Sequence, residues 1–574
     1  MRVVVLGGYG VFGARLVRLL RRDGHEVYVA GRSAQKARVL ADEVGAQALV
    51  VDRRGDPAPL WAVAPDVVVD AAGPFHAYGD DPYALARACI AQGVHYLDLA
   101  DDPAFCAGIG ALDGVARATG VFALSGVSSV PAISSAAVAA LAKGAGEIDT
   151  ISSAILPGNR APRGRAVVES ILHQAGRPFD VILDCVPVPL RSWSQPETFD
   201  LGQRMVRRGW LLEVPDNRLF EDHFGARTVL FRAGLELGVM NWSLAAFSWL
   251  RGKLGFGVPR WLVSFVLFAA KLLWPFGTDE GGMSVAVTVC SAKGWQRHTW
   301  RLIARAGEGP YIPAVPARVV LRAPESIAPG ARPAVAEVLL ADLEAGMADL
   351  AVTTERISEE VEPLFQRQLP RFFKSLPDIV QAVHEVPGPR RWVGRGSVTR
   401  GPSLWARSIA WVFGFPPKTD DIPMAVTMIP EKDGERWTRQ FGDQVFVSHL
   451  RKRGDVMTER FGPLTFTLGL HAAGGALHFP VVSGRCGPIP LPRFMLPQSV
   501  AREYAKEGRF RFDVALKAPL TGALIVHYRG WLERAVGSNP SYAAATDNSI
   551  ALSGQPSRNI ATNASGSFAF GDNS

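Results

Sequence analysis

The chain opens on an apolar run, Val3, Val4, Val5 and Leu6, which reads as a buried parallel strand, and residues 14–20 then carry apolar side chains at helical spacing. Further apolar runs at 26–30, 46–52, 66–70 and around Tyr96 follow at the intervals of βαβ units. This alternation predicts an α/β domain on a parallel sheet over residues 1–148. Between 240 and 276 two apolar segments flank a turn, with Trp242, Trp249, Trp261 and Trp274 near their ends. Neither reaches the roughly 20 residues of a spanning helix. They fit either an interfacial helical pair, with Arg251, Lys253 and Arg260 toward lipid headgroups, or a buried pair or homodimer interface. Near residue 355 the pattern changes again. Helical spacing over 358–383 gives way to short segments of period two, interrupted by a helix at 404–413. These predict a curved, mainly antiparallel sheet with helices over 355–534, enclosing an apolar cavity. Trp392, Trp437, Phe441, Phe461 and Trp531 fit either the lining of a lipid or polyketide pocket or ordinary core. Residues 535–574, rich in Ser, Asn, Ala and Gly, are predicted to be disordered.

Between the first strand and the first helix stands "GGYGVFG". Gly7, Gly10 and Gly13 at a strand-to-helix corner let the backbone turn sharply and approach a ligand, and the free N–H groups of the first helical turn suit a diphosphate. Gly8, Tyr9, Val11 and Phe12 complete that loop. The second strand ends in Gly31-Arg32-Ser33, where a ribose belongs. Arg32 and Ser33 offer a cation and a hydroxyl suited to a 2′-phosphate, so the corner predicts NADP(H) in a Rossmann-type fold. The competing reading is a glycine-rich corner with no ligand and a solvated arginine. Asp52, ending the third strand, is placed to meet the adenine amino group, and Ala72, Gly73 and Pro74 form a rigid loop for the nicotinamide ribose. His95, Tyr96 and Asp98 are the candidates for donating a proton or hydrogen bond to substrate, or else buried polar residues of the strand.

Composition narrows the function classes. In 574 residues, with 20% charged and 48% hydrophobic side chains, a net charge of +8 is too diffuse for a nucleic-acid footprint and suits anionic cofactors or membrane surfaces. Five cysteines without a C-x-x-C pair point to a reducing cytoplasm and away from a disulfide framework or a zinc site. The start directly on a strand predicts no secretory leader. H-E-x-x-H, G-x-S-x-G and Walker A motifs are absent, so metal-hydrolase, serine-hydrolase and ATPase readings lose their support, and no metal is expected.

"GGYGVFG", "AGRS", "VVVDAAGPF", "ACIAQGVHYLDLADD" and "SGVSSVPAISSAAVAAL" stand in the order and spacing of the saccharopine dehydrogenase-like oxidoreductases, which the chain resembles densely over residues 1–141. The resemblance resumes at "GEGPYIPAVPARVVLRAP", and it implies hydride transfer to or from NADP, with an imine substrate in the lysine-pathway members. The chain departs from it at Ala100-Asp101-Asp102, where many relatives carry a Thr-Gly-Glu-like stretch, and over 149–300, so no substrate is carried across. "RFGPL", "IPLP" and "EGRFRFDV" resemble an uncharacterised domain family found appended to such reductases. The expected organisation is an NADP-binding domain at 1–148 and an inserted α+β domain at 149–305. A returning helical segment and linker at 306–354, the C-terminal sheet at 355–534 and the tail complete it. The expected function is an NADP-dependent reductase of a small apolar or acyl-type substrate, cytoplasmic, with membrane association if the helical pair is interfacial. The alternative is a cofactor-binding interaction or lipid-carrier protein without turnover.

Overall fold

The computed structural model describes residues 1–162, 164–292 and 294–535. The tail assigned to disorder lies, from 536 onward, outside the described residues. Strands β1 (Arg2–Leu6), β2 (Glu26–Gly31), β3 (Gln47–Val50), β4 (Val67–Asp70), β5 (His95–Asp98) and β6 (Phe122–Ser125) form a parallel sheet in the order β6-β5-β4-β1-β2-β3. The unbroken apolar run of β1 reflects burial on both faces: Val3 and Val5 pack with Leu16 and Leu20 of helix α1 (Gly13–Arg22), while Val4 and Leu6 pack with Leu85, Ile90 and Tyr96 on the other side.

The returning segment adds more than a helix. Strand Gly330–Pro333 joins the same sheet beside β6, in parallel, and helix Val315–Arg322 is pinned to the end of α1 by Asp23. That carboxylate receives Arg318 and Arg322, both at 2.8 Å, which hold its pKa well below the usual carboxylate range against the opposing cost of burial.

A second seven-stranded, mostly antiparallel sheet is centred on Glu147–Leu156 and Gly281–Ser291. Its last strand is Val352–Glu360, paired with Gly294–Ala304, so the boundary expected at 355 falls inside a strand. The helical spacing read over 358–383 is correspondingly broken. Residues 358–360 are extended, and Pro363, Pro370 and Pro377 divide the next stretch of chain into the short helices Leu364–Gln368, Phe373–Ser375 and Asp378–His384. Thirteen strands between Arg390 and Arg534 make the third sheet, largely antiparallel and curved around its own core, with helix Leu404–Val412 packed on it through Ala406 and Ala410. Buried Asp184 joins this sheet to the middle one, receiving Arg227 at 3.0 Å and Arg534 at 2.9 Å, and Asp149 pairs with Arg390 at 2.5 Å.

The apolar segments at 240–276 fold as helices Gly238–Leu254 and Arg260–Leu272 and divide the two readings between their faces. One face is core, with Leu244, Phe247 and Val263 against Val168 and Leu172. The other is open, with Trp261 67% and Phe265 57% exposed. Arg251, which the interfacial reading turns toward lipid headgroups, is buried as the other reading has it and donates to the carbonyls of Leu172, His173 and Ala175, each at 2.8 Å, because those terminal carbonyls of helix Arg165–Gln174 have no intrahelical partner. Lys253 stays outside, over the Trp249 ring; the Arg260 side chain is outside the described part. Among the described residues no helix is long and apolar enough to cross a membrane.

Candidate functional site

The carboxyl ends of β1, β2 and β4 bring the glycine corner, the Arg32 turn and the 72–74 loop to one edge of the parallel sheet. Gly7 sits at φ +72°, and a Cβ there would come 2.7 Å from the Ala71 carbonyl oxygen; a Cβ on Gly13 would collide with the carbonyl of Gly7. The corner is therefore pressed against the loop after β4 and closed by the start of α1. The backbone N–H groups of Val11, Phe12 and Gly13 meet no acceptor among the described residues, whereas Gly10 N–H is spent on Gly7 at 2.8 Å. Three donors at the positive end of a ten-residue helix form a cradle for an anion.

Tyr9 organises the neighbouring turn. Its ring lies on Gly31, where a Cβ would approach to 2.6 Å, and its hydroxyl accepts the Ser33 N–H at 3.1 Å. The Ser33 hydroxyl caps helix α2 (Ala34–Val44) by accepting from Lys36 N–H at 3.4 Å, which leaves its own O–H free to donate. Arg32 is exposed and has neither hydrogen bond nor ion pair among the described residues. Asp52, just beyond β3, is exposed and folds back on Arg54 N–H at 3.1 Å.

Two buried acids brace the loops around this edge. Asp70 ends β4, accepts from Ala72 N–H at 2.9 Å and from the Tyr78 hydroxyl at 3.1 Å, and is pushed up to about 6 by burial. Asp98 ends β5 and receives Ala100 N–H, the Ser125 hydroxyl and Gly126 N–H on one oxygen, at 3.0, 2.9 and 2.8 Å. Its second oxygen is buried with no partner among the described residues, and burial pushes the carboxyl up to about 7. Asp98 thus positions loops.

The structure separates the other two proton-donor candidates from this edge. His95 pairs with Val67, the first residue of β4, so it stands at the amino end of the sheet, opposite the glycine corner. There it accepts Phe122 N–H at 3.1 Å and stacks on the Phe122 ring at 3.9 Å, and burial lowers its pKa. Tyr96 points into the core beneath Leu85 and Ile90, where burial raises its pKa well above the ordinary value. His95 is set apart because a strand four residues long has two ends about 10 Å apart, and Tyr96 because it faces the core, the buried reading of the strand.

Two imidazoles that the pattern does not single out lie at the functional edge. His76 stands two residues after Pro74 and stacks, at 5.1 Å, on His173 of helix Arg165–Gln174 in the middle domain. A Cβ on Gly164, just before that helix, would come 3.3 Å from the Val11 side chain. The helix therefore walls the cleft from the glycine corner to His76. His76 is visible in the sequence beside its loop; nothing local marks His173. Among the described residues no cluster of His, Cys, Asp or Glu is arranged to hold a metal.

The comparisons follow the same division. Residues 3–123 match the family model of the saccharopine dehydrogenase NADP binding domain, and residues 376–532 match a domain of unknown function, DUF4166. A search of curated proteins finds no match. Among solved structures, apo saccharopine dehydrogenase (L-Glu forming) from Saccharomyces cerevisiae aligns at 13% identity over 62% of this chain and 99% of its own, with a TM-score of 0.45. The dehydrogenase MviM from Clostridium difficile aligns at 11% identity over 54% and 80%, TM-score 0.25. BdcA from E. coli aligns at 26% identity over 22% and 80%, TM-score 0.18. The chain thus carries a saccharopine dehydrogenase-type NADP-binding domain at its N-terminus and a domain of the DUF4166 family near its C-terminus.

Proposed function

We propose that the protein is an NADP(H)-dependent oxidoreductase acting on the C=N, C=O or C=C bond of an apolar or acyl-type molecule. The observation that carries this reading is the pairing of an unspent anion cradle at Val11, Phe12 and Gly13 with an unpartnered Arg32 at the next strand end. In this reading the cradle holds the diphosphate, Arg32 and the Ser33 hydroxyl hold the 2′-phosphate, Asp52 faces the adenine, and Ala72, Gly73 and Pro74 support the nicotinamide ribose. Bound there, the nicotinamide supplies or accepts a hydride. The chain's own part is to orient and enclose. Tyr9 fixes the 31–33 turn, Asp70 and Asp98 fix the loops after β4 and β5, and helix Arg165–Gln174 limits the access of water. His76 and His173 are the titratable groups assigned to proton transfer at that edge.

The test is deuterium transfer from NADPH labelled at its transferable position into a lipid extract, analysed by mass spectrometry. Label in an apolar product, lost in Gly10→Val, is the expected result. No labelled lipid, or labelling that survives Gly10→Val, contradicts the reading.

A further inference from the structure

The curved C-terminal sheet encloses a cavity of about 340 Å³, walled by aromatic rings that include Trp437, Phe441, Phe446, Phe466 and Phe512. The cavity opens to solvent, and its volume falls within the range of roughly 300–1,000 Å³ that small-molecule sites span. The void is not uniformly apolar. Arg439, Glu459, Glu503 and Tyr528 reach its surface, and the charges of the first three act on the Tyr528 phenol.

These groups differ in what they have left to offer. Arg439 is committed to the Ser448 hydroxyl at 2.7 Å and to Glu459 at 3.2 Å, with its plane over the Trp437 ring. Glu503 is committed to His384 at 2.6 Å. The Tyr528 hydroxyl has no hydrogen-bond partner among the described residues, and burial pushes its pKa up to about 12, so it remains a donor at any physiological pH. A half-buried phenol with an unspent proton at the cavity surface fits a carbonyl or hydroxyl oxygen. A free carboxylate would find Arg439, the one cation among the described lining residues, already paired and two carboxylates beside it.

An entrance is built from the same chemistry. Ile409 and Phe413 of the Leu404–Phe413 stretch line the cavity, as do Leu491 and Met495 of the loop opposite, while Trp411 on that helix and Phe494 on that loop are 82% and 62% exposed. Large apolar side chains thus continue from the cavity wall to the outer surface.

We infer that the C-terminal domain binds a long-chain molecule with one neutral oxygen head, an alcohol or a carbonyl compound, its chain among the aromatic rings and its head on the Tyr528 hydroxyl. This goes beyond the oxidoreductase reading and stands on different residues. The test is equilibrium dialysis of the full chain against radiolabelled 1-dodecanol, dodecanoate and dodecane. Dodecanol is expected to bind saturably, one molecule per chain, and dodecanoate at least about tenfold more weakly. Tyr528→Phe should weaken dodecanol about three- to tenfold and leave dodecane unchanged, and Val426→Trp, which fills the cavity, should abolish binding of both. NADPH titration of the same preparations reads the N-terminal site separately. Non-saturable dodecanol binding, dodecanoate binding as tightly as the alcohol, or equal dodecanol affinity in Tyr528→Phe overturns the inference. Tyr528→Phe keeps the test decisive if Val426→Trp does not fold.

Discussion

The parallel sheet at the N-terminus and the thirteen-stranded sheet at the C-terminus put their binding chemistry in different places. In the first, both faces are buried under helices, and what remains for a ligand is the carboxyl edge, made of backbone N–H groups, tight turns and Arg32, which has no partner among the described residues. In the second, one face curls around a cavity, and the ligand surface is a set of side chains from strands far apart in sequence. A site made of backbone is destroyed by adding atoms at a glycine. A site made of side chains is tuned by subtracting single polar atoms.

That contrast can be broken at several points, the largest effect first. At Gly10 a Cβ would meet only the Gly7 carbonyl, at 3.0 Å, and otherwise open space, so Gly10→Val should fold while its branches fill the cradle. Loss of at least about a thousandfold in NADPH affinity is expected, ~4 kcal/mol, with no change in dodecanol binding; calorimetric titration with each ligand checks both. The buried acids come next. Asp70 and Asp98 have folded-state pKa values of about 6 and about 7 against 3.8 for the unperturbed group, so over that window the folded state holds protons the unfolded chain has released. Folding stability should therefore fall as pH rises from about 4 to about 7. Asp98→Asn should remove on the order of 2–4 kcal/mol of that slope, read from urea midpoints across the range. Arg32→Ala should cost a charge-assisted contact of about 1.5–3 kcal/mol, a ten- to hundredfold loss for NADPH and almost none for NADH. The smallest effect belongs to the open face of the helical pair. Trp261→Ser with Phe265→Ser should shift thermal stability by less than about 1 kcal/mol, because both side chains are more than half exposed.

The same contrast explains how much of the molecule is legible in its sequence. The glycine corner, Arg32, Ser33 and the 72–74 loop are legible because a backbone site imposes residue types at fixed local spacing. β1, β2, β4 and β6 are legible because burial on both faces makes each a nearly continuous apolar run, whereas the exposed edge strand β3 and the polar-ended β5 are marked by their spacing. His95 is misplaced because apolar periodicity marks a strand without marking which end faces the ligand. Two readings stay open for Arg251 because a cation between two apolar helices looks the same whether it meets lipid phosphates or the open carbonyls of another helix. The stacking of His173 on His76 joins residues almost a hundred positions apart, and Tyr528 acquires its role only when the strands that carry Arg439, Glu459 and Glu503 curl around it. Trp437, Phe441 and Phe461 line the cavity; Trp392 is core, and Trp531 lies under the Arg509 guanidinium. Aromatic composition alone does not sort them.

The central claim is that the N-terminal edge selects NADP(H) through Arg32. Calorimetric titration of the full chain with NADPH and with NADH under identical conditions tests it most directly. The account predicts one site per chain and NADPH tighter by about ten- to a hundredfold, with Arg32→Asp bringing the two cofactors level or reversing their order. Equal affinity for both cofactors in the unaltered protein, or no binding of either, would contradict it.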